Sequence, residues 1–365
     1  MIVAGLLKCA VLVVVLAVMT NGIVRFLLYM DLNKRVYNHV PGGCSEVHGV
    51  SDGSVDMAFI QSLGTVLITS GTRLYNTSDM KYVKGAVYAY NISGRSNWEA
   101  KLESKALTEK NFNPHGIDVW QEGNKVFVFV VNHRRKWDTV EVFRFRSKQN
   151  EKVLAHVRTV KSPLFTNLRD VVAVGADRFY ATNHHYFKHS TMQTLELYLA
   201  LRLGSILYFD GRNTSTVERW IGTPTGIALD KSKRYIYVSS LTGEALLVYK
   251  IAKDGNLTKF SEIPLYTSPE NIFVDPWTAD LYVGCHPLKN RIFRYESAPK
   301  SIYTPSQVLK LRGRPAKEWT ISEVYANDGA TLSGSSIAVK VKDTLLIGSI
   351  HDKMLNCDLE AAELL

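Results

Sequence analysis

Six times along the chain, one or two polar or small residues directly precede a short apolar stretch. The set comprises Asp56, His115, Asp170, Thr225, Asn271 and Ser336, separated by 46 to 65 positions. Carboxylate and imidazole groups placed in this way could hold a cation or accept a proton. The same residue types are also common in the turns that lead into strands. The spacing therefore gives candidate site residues whose chemistry depends on whether the fold brings them together.

Short β-strand patterns separated by turn residues fill the chain from Cys44 onward. β-Branched and aromatic residues dominate these stretches, and Gly, Asn, Asp and Pro stand between them. Examples are Thr65–Ser70, Lys125–Val131, Thr139–Phe145, Arg234–Ser239, Ala245–Ile251, Asp280–Gly284, Arg291–Tyr295 and Thr344–Ile350. Because no break in composition divides the chain after residue 35, the pattern predicts a single all-β domain over residues 36–365.

The repetition predicts how this domain is built. Six near-equal β units of four strands each describe a six-bladed β-propeller, within the usual range of four to eight blades. The innermost strands of a propeller face its central channel, so we expect the six repeat starts to converge on one axial site. A long β-sandwich or two barrels would also contain many short strands, but neither explains the repeat.

After residue 35, the helical signal is confined to Ser190–Leu203. Ser190-Thr-Met-Gln193 matches a capping box, which marks the start of a helix. The leucines from Leu195 to Leu203, in contrast, occupy every second position, which is typical of a strand. The pattern leaves both structures open, and these leucines could face lipid, a partner protein or the core.

An apolar N-terminal stretch determines the expected compartment. Cys9–Met19 is almost continuously apolar, Thr20-Asn21-Gly22 interrupts it, and apolar residues resume at Ile23–Met30. The first run suits the core of a signal peptide, but Ala17-Val18-Met19 is a poor cleavage site. We therefore favour an uncleaved signal-anchor helix over residues 1–35 rather than a removed signal peptide or a buried helix of a cytosolic fold.

The net charge of +10 fits a location near a membrane. Basic residues are spread along the chain, and the longest basic run is Arg134-Arg135-Lys136. Proteins that bind nucleic acid usually concentrate such residues on one face, so nucleic acid is not an expected partner. A cationic protein beside an anionic membrane is the better interpretation of this charge.

Sequons and cysteines also predict an oxidising lumenal or extracellular environment. Sequons for N-glycosylation begin at Asn76, Asn91, Asn213 and Asn256. Cys9 lies in the apolar run, whereas Cys44 and Cys357 stand at opposite ends of the globular part, where a bridge would staple both ends of the chain into one blade. Cys285 would remain a buried free thiol.

Several motifs, in a fixed order, resemble those of one protein family. They are Gly53-Ser-Val-Asp56, Asn111-Phe-Asn-Pro-His115-Gly-Ile117, Val130-Val-Asn-His133, Asn167-Leu-Arg-Asp170, Asp275-Pro276 and Val283-Gly-Cys-His286-Pro287. From about Gly43 to Leu359, the chain is similar to the paraoxonase (arylesterase/lactonase) family. The resemblance implies a six-bladed propeller with a retained N-terminal anchor, a disulfide matching Cys44 and Cys357, and two calcium ions stacked in the channel.

The resemblance places an upper, catalytic calcium on side-chain oxygens at five positions. The matching residues here are Val55, Arg169, Thr225, Glu270 and Asn271. Val55 offers no side-chain oxygen, and Arg169 would bring a permanent positive charge to the place of the ion. We therefore expect no calcium at this upper site. Because an unpaired buried charge is costly, we also predict that Arg169 pairs with Glu270.

The lower, structural calcium has its expected ligands. The resemblance assigns it to Asp56, the backbone carbonyl of Ile117, and Asp170, so we predict one bound calcium. His115 and His133 match the family's histidine dyad, which is proposed to activate the hydrolytic water. Without the metal that polarises the substrate carbonyl, a general base supplies only a small part of the catalysis.

Two further stretches bear on the site. His184 stands where the family often carries an aspartate after Thr-Asn. Zinc binding by His115, His133, His184 and His185 is an alternative, but their spacing does not match a zinc motif. Residues 185–208 match the family's lid over the channel mouth, which in active relatives contacts membrane or lipoprotein and walls the substrate pocket.

These features predict a catalytically silent, paraoxonase-like membrane glycoprotein. It would be a single-pass protein of the endoplasmic reticulum, the plasma membrane or both, with its propeller in the lumen or outside the cell. The resemblance to anchored members with a degraded calcium site implies an accessory or chaperone-like role in the assembly of degenerin-type sodium channels. The alternatives are a calcium-dependent arylesterase or lactonase that hydrolyses lactones and aryl esters, and a lipid-surface binding protein that uses the anchor and the lid.

Overall fold

The structure, a computed structural model, describes residues 2–71, 84–134, 137–148, 151–295, 302–315 and 317–359. Within these ranges, a long N-terminal helix precedes six β-sheets arranged as the blades of a propeller. The six-bladed propeller predicted from the repeat is confirmed, and the β-sandwich and two-barrel alternatives are wrong. The α-helices of the described residues are α1 (Ile2–Tyr29), α2 (Ser190–Tyr198) and α3 (Lys289–Tyr295).

The first three blades follow β1 (Cys44–Glu46) in chain order. The first blade contains β2 (Asp56–Ile60), β3 (Thr65–Ser70), β4 (Ala86–Asn91) and β5 (Ser96–Glu99). The second contains β6 (Lys101–Glu103), β7 (Pro114–Glu122), β8 (Lys125–His133), β9 (Asp138–Lys148) and β10 (Glu151–Val160), with β6 parallel to β10 at its outer edge. The third contains β11 (Leu168–Ala173), β12 (Phe179–Asn183), β13 (Gly204–Phe209) and β14 (Thr214–Ile221).

The last three blades complete the ring. The fourth contains β15 (Pro224–Leu229), β16 (Tyr235–Ser240), β17 (Ala245–Ile251) and β18 (Leu257–Pro264). The fifth contains β19 (Ser268–Val274), β20 (Leu281–His286), β21 (Ser306–Arg312) and β22 (Thr320–Asn327). The sixth contains β23 (Ser335–Val341), β24 (Thr344–Ser349), β25 (Leu355–Asp358) and the early strand β1.

The sixth blade closes the ring by joining both ends of the chain. Strand β1 pairs with β25 in antiparallel register, with Cys44 opposite Cys357, and the two cysteines form the predicted disulfide. Because strand β1 pairs with β25 at the outer edge of the last blade, each of these two strands keeps the other in the sheet. The bridge spans 313 residues of sequence. Loop-closure entropy for such a span gives it roughly 5 kcal/mol of stabilisation in the chain-entropy model.

The innermost strands surround the axis and approach one another closely. Strands β2, β7, β11, β15, β19 and β23 each contact the next, and the last contacts the first. A Cβ atom added to Gly116 in β7 would lie 2.5 Å from Cα of Asp170 in β11, so only glycine fits at this crossing. We call the end of the propeller at which these six strands begin the upper face, and the opposite end the lower face.

Helix α1 is long and apolar enough to cross a bilayer. Its candidate span is Leu6–Tyr29, with a hydropathy of 2.3 and no part buried in the protein. Helices α2 and α3 connect second to third strands of their blades, so both lie on the upper face. Met30, directly after α1, packs in one apolar cluster with Leu197 of α2 and Ile292 of α3. Helix α1 is therefore attached to the upper face by the residue that follows it.

Buried charges strengthen this attachment. Lys289 Nζ lies 3.0 Å from Asp31 Oδ2 and 2.5 Å from Glu244 Oε1, and Lys34 Nζ lies 2.6 Å from Asp31 Oδ1. The side chains of Lys289 and Asp31 are each only 1% exposed. We call Asp31, Lys34, Glu244 and Lys289 the anchor clamp. Residues 30–34, which the sequence places in the anchor and stalk, are in this way packed onto the propeller.

One predicted strand is wrong. Arg291–Tyr295 lies in helix α3 rather than in a strand. Its β-branched and aromatic residues suit a sheet by propensity, but Ile292, Phe293 and Tyr295 are buried against Met30 and Leu197 instead. Packing on the upper face therefore decides the local structure, as often happens where propensity is weak.

The ambiguous segment Ser190–Leu203 begins as a helix. Helix α2 ends at Tyr198, and the alternating leucines continue past its end without forming a strand. The predicted capping box is wrong, because His189 is the N-cap residue and makes no side-chain capping bond. Gln193 Nε2 instead donates to the carbonyl of Phe187. Leu197 is buried, whereas Leu195 and Leu199 are 42% and 62% exposed, so the leucines divide between core and surface.

Candidate functional site

Side chains at the starts of the innermost strands contact one another across the axis. Asp56 Oδ2 accepts a hydrogen bond from the backbone N–H of Ile117 at 2.8 Å, which joins the first blade to the second. Asp170 Oδ2 accepts one from Ile227 N–H at 2.8 Å, which joins the third blade to the fourth. Asn271 Nδ2 donates to the carbonyl of Val55 at 2.9 Å. Asp56 and Asp170 thus join neighbouring blades, and Asn271 joins the fifth blade to the first across the channel.

Arg169 and Glu270 form the ion pair that the sequence predicts. Arg169 Nε and Nη2 donate to the same oxygen, Glu270 Oε1, at 2.9 and 2.6 Å. The Arg169 side chain is 14% exposed and that of Glu270 is fully buried. Burial opposes ionisation of Glu270, but the charge of Arg169 and the contact with His286 hold its pKa below the ordinary value. The guanidinium therefore faces an ionised carboxylate in the channel.

The other upper positions offer few oxygen ligands. Val55 is fully buried and apolar, and the Thr225 hydroxyl donates to the carbonyl of Pro269 at 3.0 Å. Among the described residues, Asn271 Oδ1 and Glu270 Oε2 are buried without a hydrogen-bond partner. Two free oxygens beside a guanidinium are far from the six to eight oxygens that calcium prefers. The residues of the upper site do not fit a calcium ion.

Asp56 and Asp170 form a buried pair of carboxyl groups below the ion pair. The two carboxyl groups interact with each other, and each also accepts hydrogen bonds from backbone N–H groups. Burial raises the pKa of Asp56 to about 7, and burial together with the neighbouring Asp56 raises the pKa of Asp170 well above its ordinary range. Such a pair must share a proton or bind a cation.

This pair fits a calcium ion in part. Its two carboxylates are hard oxygen ligands, and the adjoining backbone of Ile117 is within hydrogen-bond distance of Asp56. Within the described ranges, no group of three or more His, Cys, Asp or Glu side chains is placed to hold a metal. Water and backbone carbonyls would therefore have to supply most of the coordination. A cation would replace the shared proton and relieve the repulsion between the two carboxylates.

The two histidines of the predicted dyad lie beside Arg169. The ring centroids of His115 and His133 are 5.1 Å apart, and His115 Nδ1 donates to the backbone carbonyl of Arg169 at 2.9 Å. Burial lowers the pKa of His115 well below its ordinary value, and the charge of Arg169 adds to this effect. His115 is therefore neutral and a weak base.

Asp138 completes this group and was missed in the sequence. Its Oδ1 lies 2.8 Å from His133 Nδ1, and its Oδ2 accepts a hydrogen bond from Leu168 N–H at 2.8 Å. Asp138 and His133 are direct partners in the β8–β9 hairpin. A hairpin register drawn across residues 133–138 would have placed them opposite each other. The carboxylate fixes the orientation of the His133 ring.

The remaining histidines have separate partners on the upper face. His184 Nδ1 lies 3.3 Å from the carbonyl of Pro224, and His185 Nδ1 lies 3.2 Å from Glu196 Oε2. His351, which sequence reasoning also missed, has a pKa lowered to about 3 by burial and by the charge of Arg169. Burial also lowers the pKa of His184 well below its ordinary value, so His184 and His351 are neutral groups near the guanidinium. The separate partners of these imidazoles do not make them one cluster of metal ligands.

Helix α2 is held beside His185 by a buried carboxylate. Glu196 Oε1 accepts a hydrogen bond from Phe187 N–H at 2.8 Å, and Glu196 Oε2 accepts one from Tyr186 N–H at 3.2 Å. Burial opposes ionisation of Glu196, but its bond with His185 and these backbone bonds lower its pKa. The lid segment is therefore tied to the strand that precedes it.

A cavity of about 430 Å³ extends from Asp56 and Asp170 toward the lower face. Asp118, Trp120 and Lys233 are among its lining residues. Asp118 accepts a hydrogen bond from Ala173 N–H at 2.8 Å, and burial raises its pKa to about 7. Asp118 thus joins the second and third blades at a position closer to the lower face than Asp56 and Asp170.

Comparison with known proteins places these residues in context. A family model described as Arylesterase matches residues 16–359. The chain is 34% identical over 352 residues to mechanosensory abnormality protein 6 of Caenorhabditis elegans, covering 92% of each protein. It is 33% identical over 320 residues to human serum paraoxonase/arylesterase 1, covering 87% of this chain and 88% of the human protein.

Solved structures agree on the fold. A luciferin-regenerating enzyme superimposes with a TM-score of 0.53 at 9% sequence identity, covering 88% of this chain and 96% of that protein. Regucalcin from Agrobacterium tumefaciens, described as a calcium-binding protein, superimposes with a TM-score of 0.50 at 10% identity, covering 89% and 94%. At such low identity, the likeness concerns the propeller alone.

Proposed function

Because the chain belongs to the arylesterase, or paraoxonase, family, we propose that it is a catalytically silent, membrane-anchored member that assists the assembly of other membrane proteins. The Arg169–Glu270 pair carries this proposal. It stands at the positions that the sequence resemblance assigns to the catalytic calcium. A fixed guanidinium there repels a divalent cation and cannot accept a substrate oxygen as a ligand.

The loss of hydrolysis follows from the chemistry of ester and lactone cleavage. A metal that polarises the carbonyl contributes several kcal/mol to the stabilisation of the transition state. His115 and His133 could still accept a proton, but general-base catalysis alone contributes about 10²–10⁴-fold. With its pKa lowered, His115 is a poor base even for that task. The residues that remain therefore give little catalysis.

The anchor and the disulfide support a membrane location. Helix α1 is long enough to span a bilayer, and the Cys44–Cys357 bridge suits an oxidising compartment. We place the propeller in the lumen of the endoplasmic reticulum, outside the plasma membrane, or both. Attachment of α1 to the upper face would hold the channel mouth and the exposed leucines of α2 near the membrane.

Clients of this accessory role would be membrane proteins, and we propose ion channel subunits of the degenerin type. The similarity to a protein named for a mechanosensory abnormality supports a role in sensory membranes. The clamp and the anchor supply what such a role requires, which is a rigid domain held beside the membrane segments of another protein. Active hydrolysis is not needed for it.

We expect the purified full-length chain in detergent to hydrolyse phenyl acetate and a simple lactone no faster than the buffer, with or without calcium. The full chain is required because Met30 and Asp31 belong to the packed upper face. His115→Gln serves as the matched control and should leave this background unchanged. Calcium-dependent turnover that His115→Gln abolishes would contradict the proposal.

Such turnover would favour the second candidate, a calcium-dependent arylesterase or lactonase. One observation favours this candidate, namely the His133–Asp138 pair next to His115. An oriented imidazole beside a second histidine could activate a water molecule. The upper site still lacks the ligands for the metal that would bind the substrate carbonyl.

We also propose that Asp56, the carbonyl of Ile117, and Asp170 bind one structural calcium. The raised pKa values of both carboxyls support this, because a cation would satisfy two buried acids that otherwise repel each other. Asp56 and Asp170, with the backbone groups that they contact, connect the first four blades. An ion bound between the two carboxylates would therefore make the centre of the propeller more rigid. It would take no part in catalysis.

Calcium should therefore stabilise the chain, with one ion bound per molecule. At a calcium concentration 100 times Kd, the expected gain is about 2.7 kcal/mol in the free energy of unfolding. Asp170→Asn should abolish this gain, whereas Asp118→Asn, which changes a buried carboxyl outside the donor set, should keep it. Metal analysis measures the number of bound ions, and thermal unfolding with and without a chelator measures the gain in stability. Two ions per chain would support the hydrolase, and no ion would contradict the site.

Glycosylation would modify the lower face. Asn91 ends β4, and Asn213 and Asn256 lie in the turns after β13 and β17, so all three are on the end opposite the anchor. Asn213 and Asn256 are exposed. Asn76 lies outside the described residues. Glycans at these sites would leave the upper face clear for the membrane and a client.

A further inference from the structure

Helix α1 carries polar side chains that a simple anchor does not need. Thr20, Asn21 and Arg25 all lie within the candidate span Leu6–Tyr29. Arg25 is one turn from the propeller end of the span and can extend its charge to the interface. Asn21 cannot, because it lies eight residues, or about 12 Å, from Tyr29 along the helix. An amide at that depth is costly unless another group bonds to it.

The propeller does not satisfy these groups. Asn21 and Arg25 are exposed, and none of the hydrogen bonds or ion pairs found among the described residues involves their side chains. The anchor clamp begins only at Asp31, beyond the end of α1. Because the clamp fixes the propeller to the end of the helix, the domain cannot fold back along the span to reach Asn21. A partner for the amide must lie in the membrane.

Asn21 and Arg25 occupy one face of the helix. They are four residues apart, and Ala17 lies four residues before Asn21, so the three side chains follow one stripe. The small alanine lets another helix approach closely. Asn21 can donate two hydrogen bonds and Arg25 five. The stripe is therefore rich in donors and suits a helix that presents an acceptor.

A second copy of this chain does not suit this stripe. Two copies inserted in the same orientation would place Arg25 of one opposite Arg25 of the other at the same depth. Like charges held face to face at one depth repel each other, also where the two side chains extend to the interface. A carboxylate on a partner helix would instead pair with the guanidinium and accept from the amide. The charge on the stripe thus favours a different protein over self-association.

We propose that the stripe of Ala17, Asn21 and Arg25 binds a transmembrane helix of another membrane protein that carries a carboxylate within the bilayer. This inference rests on the proposed accessory function, for which it names the contact inside the membrane. The clamp then keeps the upper face of the propeller directly above the bound helix. One client would be held both in the bilayer and at its surface.

The test uses the full-length chain in phosphatidylcholine vesicles, labelled through a C-terminal tag. The probe is a labelled 24-residue leucine–alanine peptide with one central aspartate, and the matched peptide has leucine there. Energy transfer reports association. We expect the aspartate peptide to bind about tenfold more tightly than the leucine peptide. Asn21→Leu combined with Arg25→Leu should remove this difference, whereas Thr20→Leu, a polar neighbour off the stripe, should keep it.

Two results would overturn the inference. The first is equal binding of the aspartate peptide by the wild type and by the double variant. The second is energy transfer between differently labelled wild-type chains that the double variant loses, since this would assign the stripe to a second copy. The vesicles contain no channel and no ester, so either result leaves the accessory role and the hydrolysis assay to be judged separately.

Discussion

Replacing Glu270 with Gln should lower the free energy of unfolding by roughly 3–5 kcal/mol, because it removes the buried negative charge that faces the Arg169 guanidinium, whose side chain is only 14% exposed. Gln keeps the shape of Glu, so the loss reports the charge rather than packing. Chemical denaturation of the full-length chain in detergent, followed by tryptophan fluorescence, measures the change. Glu262→Gln is the matched control: Glu262 pairs with Lys259 at the surface, both about half exposed, and should lose less than 1 kcal/mol.

The effect of Glu270→Gln should also depend on pH in one direction. The pKa of Glu270 lies below its ordinary value of 4.5, so the folded state favours the ionised form. The pair therefore contributes fully above pH 4.5 and is lost as the pH falls through the lowered pKa. We expect the difference between wild type and Glu270→Gln to be largest near neutral pH and to shrink in acid. If the stability difference between wild type and Glu270→Gln were the same at neutral and at acidic pH, the charge of Glu270 would not be its cause.

A second variant asks whether the guanidinium fills the place of an ion. Arg169→Asn supplies an amide oxygen in place of the guanidinium, beside the buried oxygens Glu270 Oε2 and Asn271 Oδ1 that lack hydrogen-bond partners. Without calcium, this variant should be destabilised, since Glu270 is then a buried and uncompensated charge. With calcium, it should recover more stability than the wild type gains and bind one further ion. If calcium does not rescue Arg169→Asn, the guanidinium fills another role.

The propeller and its axial residues were predictable because their signals repeat or follow from charge. Each blade begins its inner strand in the same way, so a period appears in the chain even without close identity between blades. Arg169 and Glu270 could be paired in advance because both begin inner strands and a closed channel offers a cation few other anions. A repeated strand pattern and a buried cation that needs an anion each allow few alternative arrangements, so both could be predicted from the sequence.

The upper face was less predictable because distant residues determine it. The composition of Arg291–Tyr295 suits a strand, but the segment is helical and packs in one apolar cluster with Met30 and Leu197. The capping box at Ser190 fails because Gln193 bonds to Phe187 instead. Asp138 was within reach of a hairpin argument, but nothing in the sequence connects Asp31 with Lys289, which are 258 positions apart.

Lys289→Met should cost about 3 kcal/mol, the lower part of the range for breaking a buried pair, because Lys34 still compensates Asp31. Methionine retains most of the volume of the lysine stem, so the loss reports the missing charge. Asp31→Asn should cost a similar amount. In a double-mutant cycle, Lys289→Met combined with Asp31→Asn should cost clearly less than the sum, since the two residues interact directly at 3.0 Å. If the double variant instead loses the sum of the two single losses, Lys289 and Asp31 do not stabilise each other.

The consequence of Lys289→Met for the anchor can be separated from its effect on the propeller. Lys289 N–H also donates to Asp31 Oδ2, and Asn290 donates twice to the carbonyl of Met30. Loss of the clamp should therefore increase amide exchange at residues 30–34 and in α3, while the inner strands stay protected. A propeller that stays folded but is no longer fixed to α1 would still be anchored in the membrane. It would lose the fixed position above α1 on which the proposed accessory role depends, so client assembly should fall in Lys289→Met and remain normal in the exposed control Lys259→Met.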